Sequence, residues 1–231
     1  KSARKLCQGL EEAGVAPESL RAIFLTHEHN DHVSALENLA KKHKIPIHMA
    51  SGCAEKFCSE RYEALRENIV CHPPLFEVGI KDARIISFPT PHDSRASVGY
   101  RIEIPDEDGN IVYRIGYATD IGYVTPEIEE ALTGCDAVIL ESNHDYDMLM
   151  TGPYPYDLKK RIASRRGHLS NPDSAALAAR LCAAGTKKLM LAHLSQENNA
   201  PDLALGECVG AVGDADVAVF VAHPEIPTEM L

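Results

Sequence analysis

Thr26-His27-Glu28-His29-Asn30-Asp31-His32 decides the reading of this chain. The apolar run Ala22 to Thr26 predicts a short buried strand leading into it. Asp31 can open a helix whose apolar positions are Val33, Leu36, Leu39 and Ala40. The motif therefore turns a strand-to-helix corner. In extended backbone His27 and His29 point the same way, because side-chain direction repeats every two residues. Asp31 and His32, on the first helical turn, face elsewhere. Four ligand-type side chains thus converge on one corner and aim at two neighbouring points, as a pair of metal ions requires.

Further outward, more strands end in His or Asp. His92 follows the strand Arg84 to Phe88 through Pro89-Thr90-Pro91, and Asp120 follows the strand Ile111 to Ala118. His144 follows the strand Asp136 to Leu140, and His193 ends the strand Lys188 to Ala192. Ligands in α/β sheets bind outside the carboxyl ends of strands, so these positions form the expected rim of a site. His168 sits in Arg-Gly-His-Leu-Ser-Asn, just before a helix opened by Asn171-Pro172. His43, His48, His72 and His223 lack such placement and read as surface or partly buried residues.

The remaining pattern predicts helices over 3–14, 52–67, Pro126 to Leu132, Asp157 to Arg165, Ala175 to Ala184 and from about Pro201. Strands are predicted over Ile45 to Met49 and Val217 to Ala222. Val98 to Ile104 and Ile111 to Ala118 flank the turn-rich Asp106-Glu107-Asp108-Gly109-Asn110 and form the clearest hairpin. Alternating strands and helices around one antiparallel hairpin predict the α/β class, with a mixed sheet covered by helices and a single domain over 1–231.

Composition narrows the alternatives. At 231 residues, 45% hydrophobic and 25% charged, the chain is no disordered, collagen-like or coiled-coil protein. Its longest apolar runs fall short of the ~20 residues that cross a bilayer, and no secretory leader is visible. It opens with Lys1 directly in a helical pattern, so the natural N-terminus, with any targeting signal, is expected to lie outside it. Seven cysteines at irregular spacing, without a C-x-x-C pair, suggest free thiols in a reducing, cytoplasmic setting. Cys135 and Cys182 read as small core hydrophobes. The net charge of −11 argues against a broad basic face. Yet Lys159, Lys160, Arg161, Arg165 and Arg166 cluster just before His168. Such a cluster points to phosphate binding, and Lys160, Arg165 and Arg166 are the candidates for it.

The ordered set His-x-His-x-Asp-His at 27–32, then His92, Asp120 and His193, resembles the metallo-β-lactamase fold superfamily. More specifically, the chain is similar to the WalJ/VicX/YycJ group of bacterial metal-dependent hydrolases. The matching pieces are Thr-His-Glu-His-Asn-Asp-His, Pro-His-Asp-Ser, Ala-Thr-Asp-Ile-Gly-Tyr, Glu-Ser-Asn-His-Asp-Tyr-Asp-Met-Leu, Gly-Pro-Tyr-Pro, Leu-Lys-Lys-Arg-Ile, Gly-His-Leu-Ser-Asn and His-Leu-Ser-Gln-Glu-Asn-Asn. The resemblance implies an αββα sandwich and a 5′→3′ exonuclease acting on double-stranded DNA. Members of the group begin with a Gly/Ser-rich turn and two strands ending in Asp-Ala-Gly. Here the resemblance therefore implies a sheet without its first N-terminal strands. It assigns one divalent ion to His27, His29, His92 and Asp120, and a second to Asp31, His32, His193 and the bridging Asp120. An imidazole and carboxylate set suits Zn²⁺, Mn²⁺ or Fe²⁺.

Two such ions can share a hydroxide and clamp both oxygens of an in-line displacement. Lowering the pKa of water from 15.7 to about 7 is worth roughly 12 kcal/mol at 1.36 kcal/mol per unit. No side-chain base approaches that, so Asp31 serves better as a ligand than as the main base. The leaving oxygen still needs a proton, and His168 is the candidate acid. Ribonuclease Z-type relatives likewise carry a His ahead of the last metal ligand. His144 can orient a ligand or touch the phosphate. A small-molecule hydrolase cleaving a thioester, lactone or β-lactam, and a metal-binding regulatory partner without turnover, are the competing readings.

Overall fold

Parallel strands need crossovers rather than hairpins, and this chain supplies them at both ends. A computed structural model describes residues 2–230. From the N-terminus, α1 (Ala3–Glu12) leads to β1 (Ile23–Phe24), α2 (Asn30–Val33), α3 (Leu36–His43) and β2 (Ile47–Ala50). After α4 (Ser51–Ala54) and 3₁₀ turns over Glu55–Cys58 and Glu60–Asn68 comes β3 (Ile69–His72). These strands make a parallel sheet in the order β1-β2-β3, with Ile23 opposite Ile47 and Ile47 opposite Ile69.

The larger sheet takes β4 (Glu77–Ile80), β5 (Ala83–Pro89), β6 (Val98–Pro105), β7 (Ile111–Ala118), β8 (Ala137–Glu141), β9 (Lys188–Ala192) and β10 (Ala218–Val221). Its order is β10-β9-β8-β7-β6-β5-β4. The half from β7 to β10 is parallel and the half from β4 to β7 antiparallel. Helix α5 (Pro126–Leu132) precedes β8. Then α6 (Tyr146–Thr151), α7 (Tyr156–Ile162) and α8 (Asn171–Ala183) lie between β8 and β9, and α9 (Pro201–Val212) precedes β10.

Three apolar clusters define the layers. Ile128, Leu132, Val138, Leu140, Leu177, Leu181, Leu189 and Ala204 join the large sheet to α5, α8 and α9. Val33, Leu36, Ala40, Ile47, Met49, Phe57 and Leu65 join the small sheet to its own helices. Ala50, Phe76, Ile85, Val98 and Tyr100 fill the space between the sheets. Helix, sheet, sheet, helix is therefore the layer order, the αββα sandwich that the motifs imply. Ala137 to Leu140 of β8 form an apolar run, as a strand with two parallel neighbours and both faces covered requires. An apolar groove of about 280 Å³ runs past Ile23, Phe24, Tyr100, Ile102 and Tyr117 beside β1, the edge strand of the small sheet. Among the described residues no helix is long and apolar enough to cross a membrane.

Several local expectations are corrected. The helix predicted over 52–67 is one short α-turn followed by 3₁₀ turns. The helix from Asp31 is two pieces, α2 and α3. β3, β4 and α6 lie in segments too short and polar to carry a clear period. The basic helix stops at Ile162 rather than Arg165, because Gly167 comes in against its last carbonyls. A Cβ on Gly167 would sit 2.0 Å from the Ile162 oxygen. Arg165 and Arg166 therefore stand on a turn. Helix α5 keeps its predicted bounds, with Thr125 capping the Ile128 amide. All seven cysteines are unpaired thiols, Cys135 buried and Cys182 half-buried against the core.

Candidate metal centre

In the large sheet β5, β7, β8 and β9 all point the same way, since β5 and β7 each run antiparallel to β6. Their carboxyl ends share one edge, and the turn after β1 meets it. Asp120 lies just past β7 and His193 just past β9, both in left-handed backbone with φ of 59° and 60°. A non-glycine residue there costs roughly 1–2 kcal/mol. Such strain is characteristic of positions where the chain must turn at once and aim a side chain.

Asp120 is the hub, with 2% of its surface exposed. His27, His32, His92 and His193 each turn Nε2 towards it, at 4.0, 3.6, 3.7 and 3.7 Å. Each Nδ1 is held from behind. The Thr26 hydroxyl lies 3.3 Å from Nδ1 of both His27 and His32. His92 Nδ1 pairs with the Gly167 carbonyl at 3.0 Å, and His193 Nδ1 with Glu141 Oε1 at 2.8 Å. Fixing the rear nitrogen orients the front one for a metal. His29 Nδ1 approaches His92 Nε2 at 3.3 Å, and Asp31 stands at the exposed rim, 3.5 Å from His32 Nε2.

The donor atoms fall into overlapping groups. His27, His29 and His92 make one; His27, His32 and Asp120 another; Asp31, His32 and His193 a third; Asp120, Glu141, His168 and His193 a fourth. Within each, the atoms lie no more than 4.8 Å apart. His27 Nε2 and Asp120 Oδ2 are buried without a hydrogen-bond partner. Buried polar atoms are costly unless paired, and a cation between them would satisfy both. The set is all imidazole and carboxylate, so the residues fit divalent metal ions.

The protonation states of His27, His32 and His92 suit that use. Burial first, then the neighbouring imidazoles, push His27 down to about 2. Burial also lowers His32 and His92. Neutral imidazole is the metal-binding form. At His193 burial works against charge, but the bond to Glu141 and the charges of Asp120 and Asp31 win and raise it to about 9.

Glu141 is a residue that sequence reasoning missed. It ends β8, is fully buried, and accepts four donors. His168 Nδ1 and His193 Nδ1 reach Oε1 at 2.8 Å each, and the amides of Ile121 and Leu169 reach Oε2 at 2.7 and 3.0 Å. Burial would raise its pKa, but the bonds from His168 and His193 hold it well below the usual carboxylate range. The available signal was a lone Glu closing an apolar strand. The same stretch supplied His144, which is 2% exposed and belongs to none of the donor groups. Burial lowers the His144 pKa.

A pocket of about 510 Å³ opens beside the cluster, lined by His29, His92, His168 and His193 and by Tyr154, Leu158 and Ile162. Of the basic run, Arg161 lines it. Lys160 lies 4.5 Å above the Tyr156 ring and Arg165 3.9 Å above the Tyr123 ring. The Arg166 guanidinium donates to the His92 carbonyl at 3.3–3.4 Å.

An αββα sandwich with a histidine and aspartate cluster on its strand ends is the architecture of metal-dependent hydrolases, and this chain belongs to the beta-lactamase superfamily, whose family model matches residues 3–194. Within it, the chain is similar to the exodeoxyribonuclease WalJ of Streptococcus pneumoniae, 34% identical over 224 residues, covering 95% of this chain and 80% of that protein. It is also similar to the exodeoxyribonuclease YycJ of Bacillus anthracis, 30% identical over 236 residues, covering 95% and 83%. Among solved structures, the metallo-β-lactamase fold protein YhfI of Bacillus subtilis superposes with a TM-score of 0.66 at 21% identity, covering 93% of this chain and 79% of that one. Zn²⁺-bound PqqB of Methylobacterium extorquens follows at 0.64 and 16%, covering 91% and 73%. Those two likenesses establish the fold.

Proposed function

We propose that this chain is a metal-dependent exodeoxyribonuclease, hydrolysing double-stranded DNA from its 5′ end with two divalent ions. The observation that carries the reading is the ring of Nε2 atoms around Asp120, with donors on either side of it. His27, His29, His92 and Asp120 would hold one ion; Asp31, His32, His193 and Asp120 the other. Zn²⁺, Mn²⁺ and Fe²⁺ all suit such donors. Bound there, two cations supply an acidified water and neutralise phosphate charge. The similarity to two exodeoxyribonucleases supports the substrate class, and a cytoplasmic location belongs to the same reading.

The chain's own groups do the rest. His168 bonds Glu141 through Nδ1, which leaves Nε2 for the pocket it lines. A proton held at that Nε2 can pass to the leaving oxygen, and the Glu141 carboxylate stabilises the imidazolium before transfer. His144 is buried outside the pocket lining with its Nδ1 unpartnered, a position from which it would orient a ligand rather than touch the phosphate. Leu158 and Ile162 limit water on the α7 side of the pocket.

The test uses an end-labelled duplex in Mn²⁺, with metal content measured on the same preparations. Asp120→Ala should abolish hydrolysis and lower bound metal. Wild-type hydrolysis by that variant refutes the bridging assignment. A duplex that survives the wild-type protein while a thioester or nitrocefin is cleaved transfers the function to a small-molecule hydrolase.

A further inference from the structure

Arg161 is the one Lys or Arg lining the pocket among the described residues. Its Nε–H is donated to Asp93 Oδ2, and its two terminal amines make no hydrogen bond there. The other edge of that carboxylate faces the cluster. Asp93 Oδ1 lies 3.4 Å from His92 Nε2 and 3.6 Å from His29 Nε2, buried and without a hydrogen bond. One carboxylate therefore spans the distance between the metal-ligating nitrogens and the guanidinium. Arg161 is 59% exposed, so its free edge is open to a ligand. An Arg tied at Nε keeps its plane fixed and presents two parallel N–H groups, the geometry that grips two oxygens of a phosphate.

We propose that Arg161, aimed by Asp93, receives the phosphate next to the one cleaved. Tyr154, Leu158 and Ile162 then offer the ring and apolar surface on which the intervening nucleoside rests. The assignment rests on the nuclease reading and names the subsite that reading lacks. Arg161 is a substrate-binding residue and Asp93 a positioning residue. Lys160 and Arg165 lie over tyrosine rings and outside the pocket lining.

The test pairs a protein change with a substrate change. Three duplexes are compared: one natural, and two with a single neutral methylphosphonate replacing the phosphate on one or the other side of the scissile position. The wild-type protein should lose about 10- to 100-fold in kcat/KM on one of the two, the loss of a hydrogen bond to a charged group. Arg161→Ala should lose a similar factor on the natural duplex. On the sensitive methylphosphonate it should then match the wild-type protein to within about twofold, since both changes remove one interaction. Asp93→Asn should raise KM on the natural duplex by a smaller factor. Losses that multiply, or an Arg161→Ala protein that handles natural DNA as the wild type does, overturn the subsite. Failure of the wild-type protein to cut the natural duplex at all is a separate result, and it removes the nuclease reading together with the subsite.

Discussion

At the scale of single residues, Glu141 holds the site together. Its two oxygens meet four N–H donors in full burial. Glu141→Gln replaces one oxygen with an amide that is itself a donor, so two N–H groups lose their acceptor and the charge opposite His193 disappears. Breaking a buried pair by removing one partner costs about 3–5 kcal/mol, and loss of such support weakens metal binding about 10- to 100-fold. We expect the variant to unfold at lower denaturant and to bind metal that much more weakly in a competition titration. Metal affinity unchanged from the wild type would mean that His193 is oriented by something else. This carboxylate was not legible in the sequence, whereas the residues that gather around Asp120 were. His27, His29, Asp31 and His32 announce themselves through local spacing, and His92, Asp120 and His193 through their position after strands. Glu141 acts by reaching other side chains 27 and 52 positions away, and nothing local records that.

At the scale of elements, the site depends on how closely α7 approaches the loop that carries His168. Gly167 makes that approach possible. A Cβ there would lie 2.0 Å from the Ile162 oxygen and 2.3 Å from the Arg161 oxygen, both backbone atoms that cannot swing aside. The Gly167 carbonyl also accepts the His92 ring. Gly167→Ala should cost about 1–3 kcal/mol through overpacking, at about 2–4 °C of Tm per kcal/mol for a chain of this size, and should lower metal content through misaimed His92. Gly206→Ala is the control. It lies in α9 with nothing within 4 Å of its Cβ position, so it should stabilise by about 0.5–1 kcal/mol. Equal Tm values for the two variants would deny the close contact its importance. The elements most legible beforehand were those with a long period or a proline at the first turn: the β6–β7 hairpin, α5 from Pro126, and α8, read as opening at Asn171-Pro172 and in fact capped one residue earlier by Ser170. β3 and β4 were illegible because four residues of mixed polarity become strands only once a neighbour pairs with them.

At the scale of the whole molecule, acid should weaken the contact between the two sheets. His48 on β2 stacks between Phe24 and His72, with centroids 4.8 and 5.1 Å away, and His72 stacks on Phe76 at 4.3 Å. His48 Nδ1 and His72 Nε2 are 2.9 Å apart, so at most one of them can carry the shared hydrogen. Burial, and then the neighbouring ring, lower the His48 pKa; burial lowers that of His72. The folded state resists a proton that the unfolded chain accepts, so this stability is present above a pH of about 6.5 and is lost as pH falls below it. His48→Phe keeps the stack and removes the titration. Denaturation midpoints of the metal-free proteins should fall less steeply from neutral to acid pH for the variant, and parallel curves would refute the pair's part in acid sensitivity.

Electrostatics at the same scale decides how a chain of net charge −11 meets DNA. Surface charges farther away than the Debye length, about 8 Å at physiological ionic strength, are screened, so the acidic background weakens with distance while a local basic patch still acts. Lys160, Arg165 and Arg166 stand on α7 and the turn after it, next to the Arg161 side of the pocket. Lys160 and Arg165 lie over the Tyr156 and Tyr123 rings, which fixes their positions without neutralising them. Each phosphate met by such a cation adds about 0.9 to the slope of log K against log salt for duplex DNA. Changing all three to Ala should therefore weaken duplex binding and flatten that slope by up to about 2.7, with the binding of sequence-unrelated duplexes reduced to the same extent. Fluorescence anisotropy across a salt series measures both. If the slope stays the same while affinity falls, the three cations only support the turn that carries His168, and the phosphate contacts must come from Arg161 and the metal centre alone.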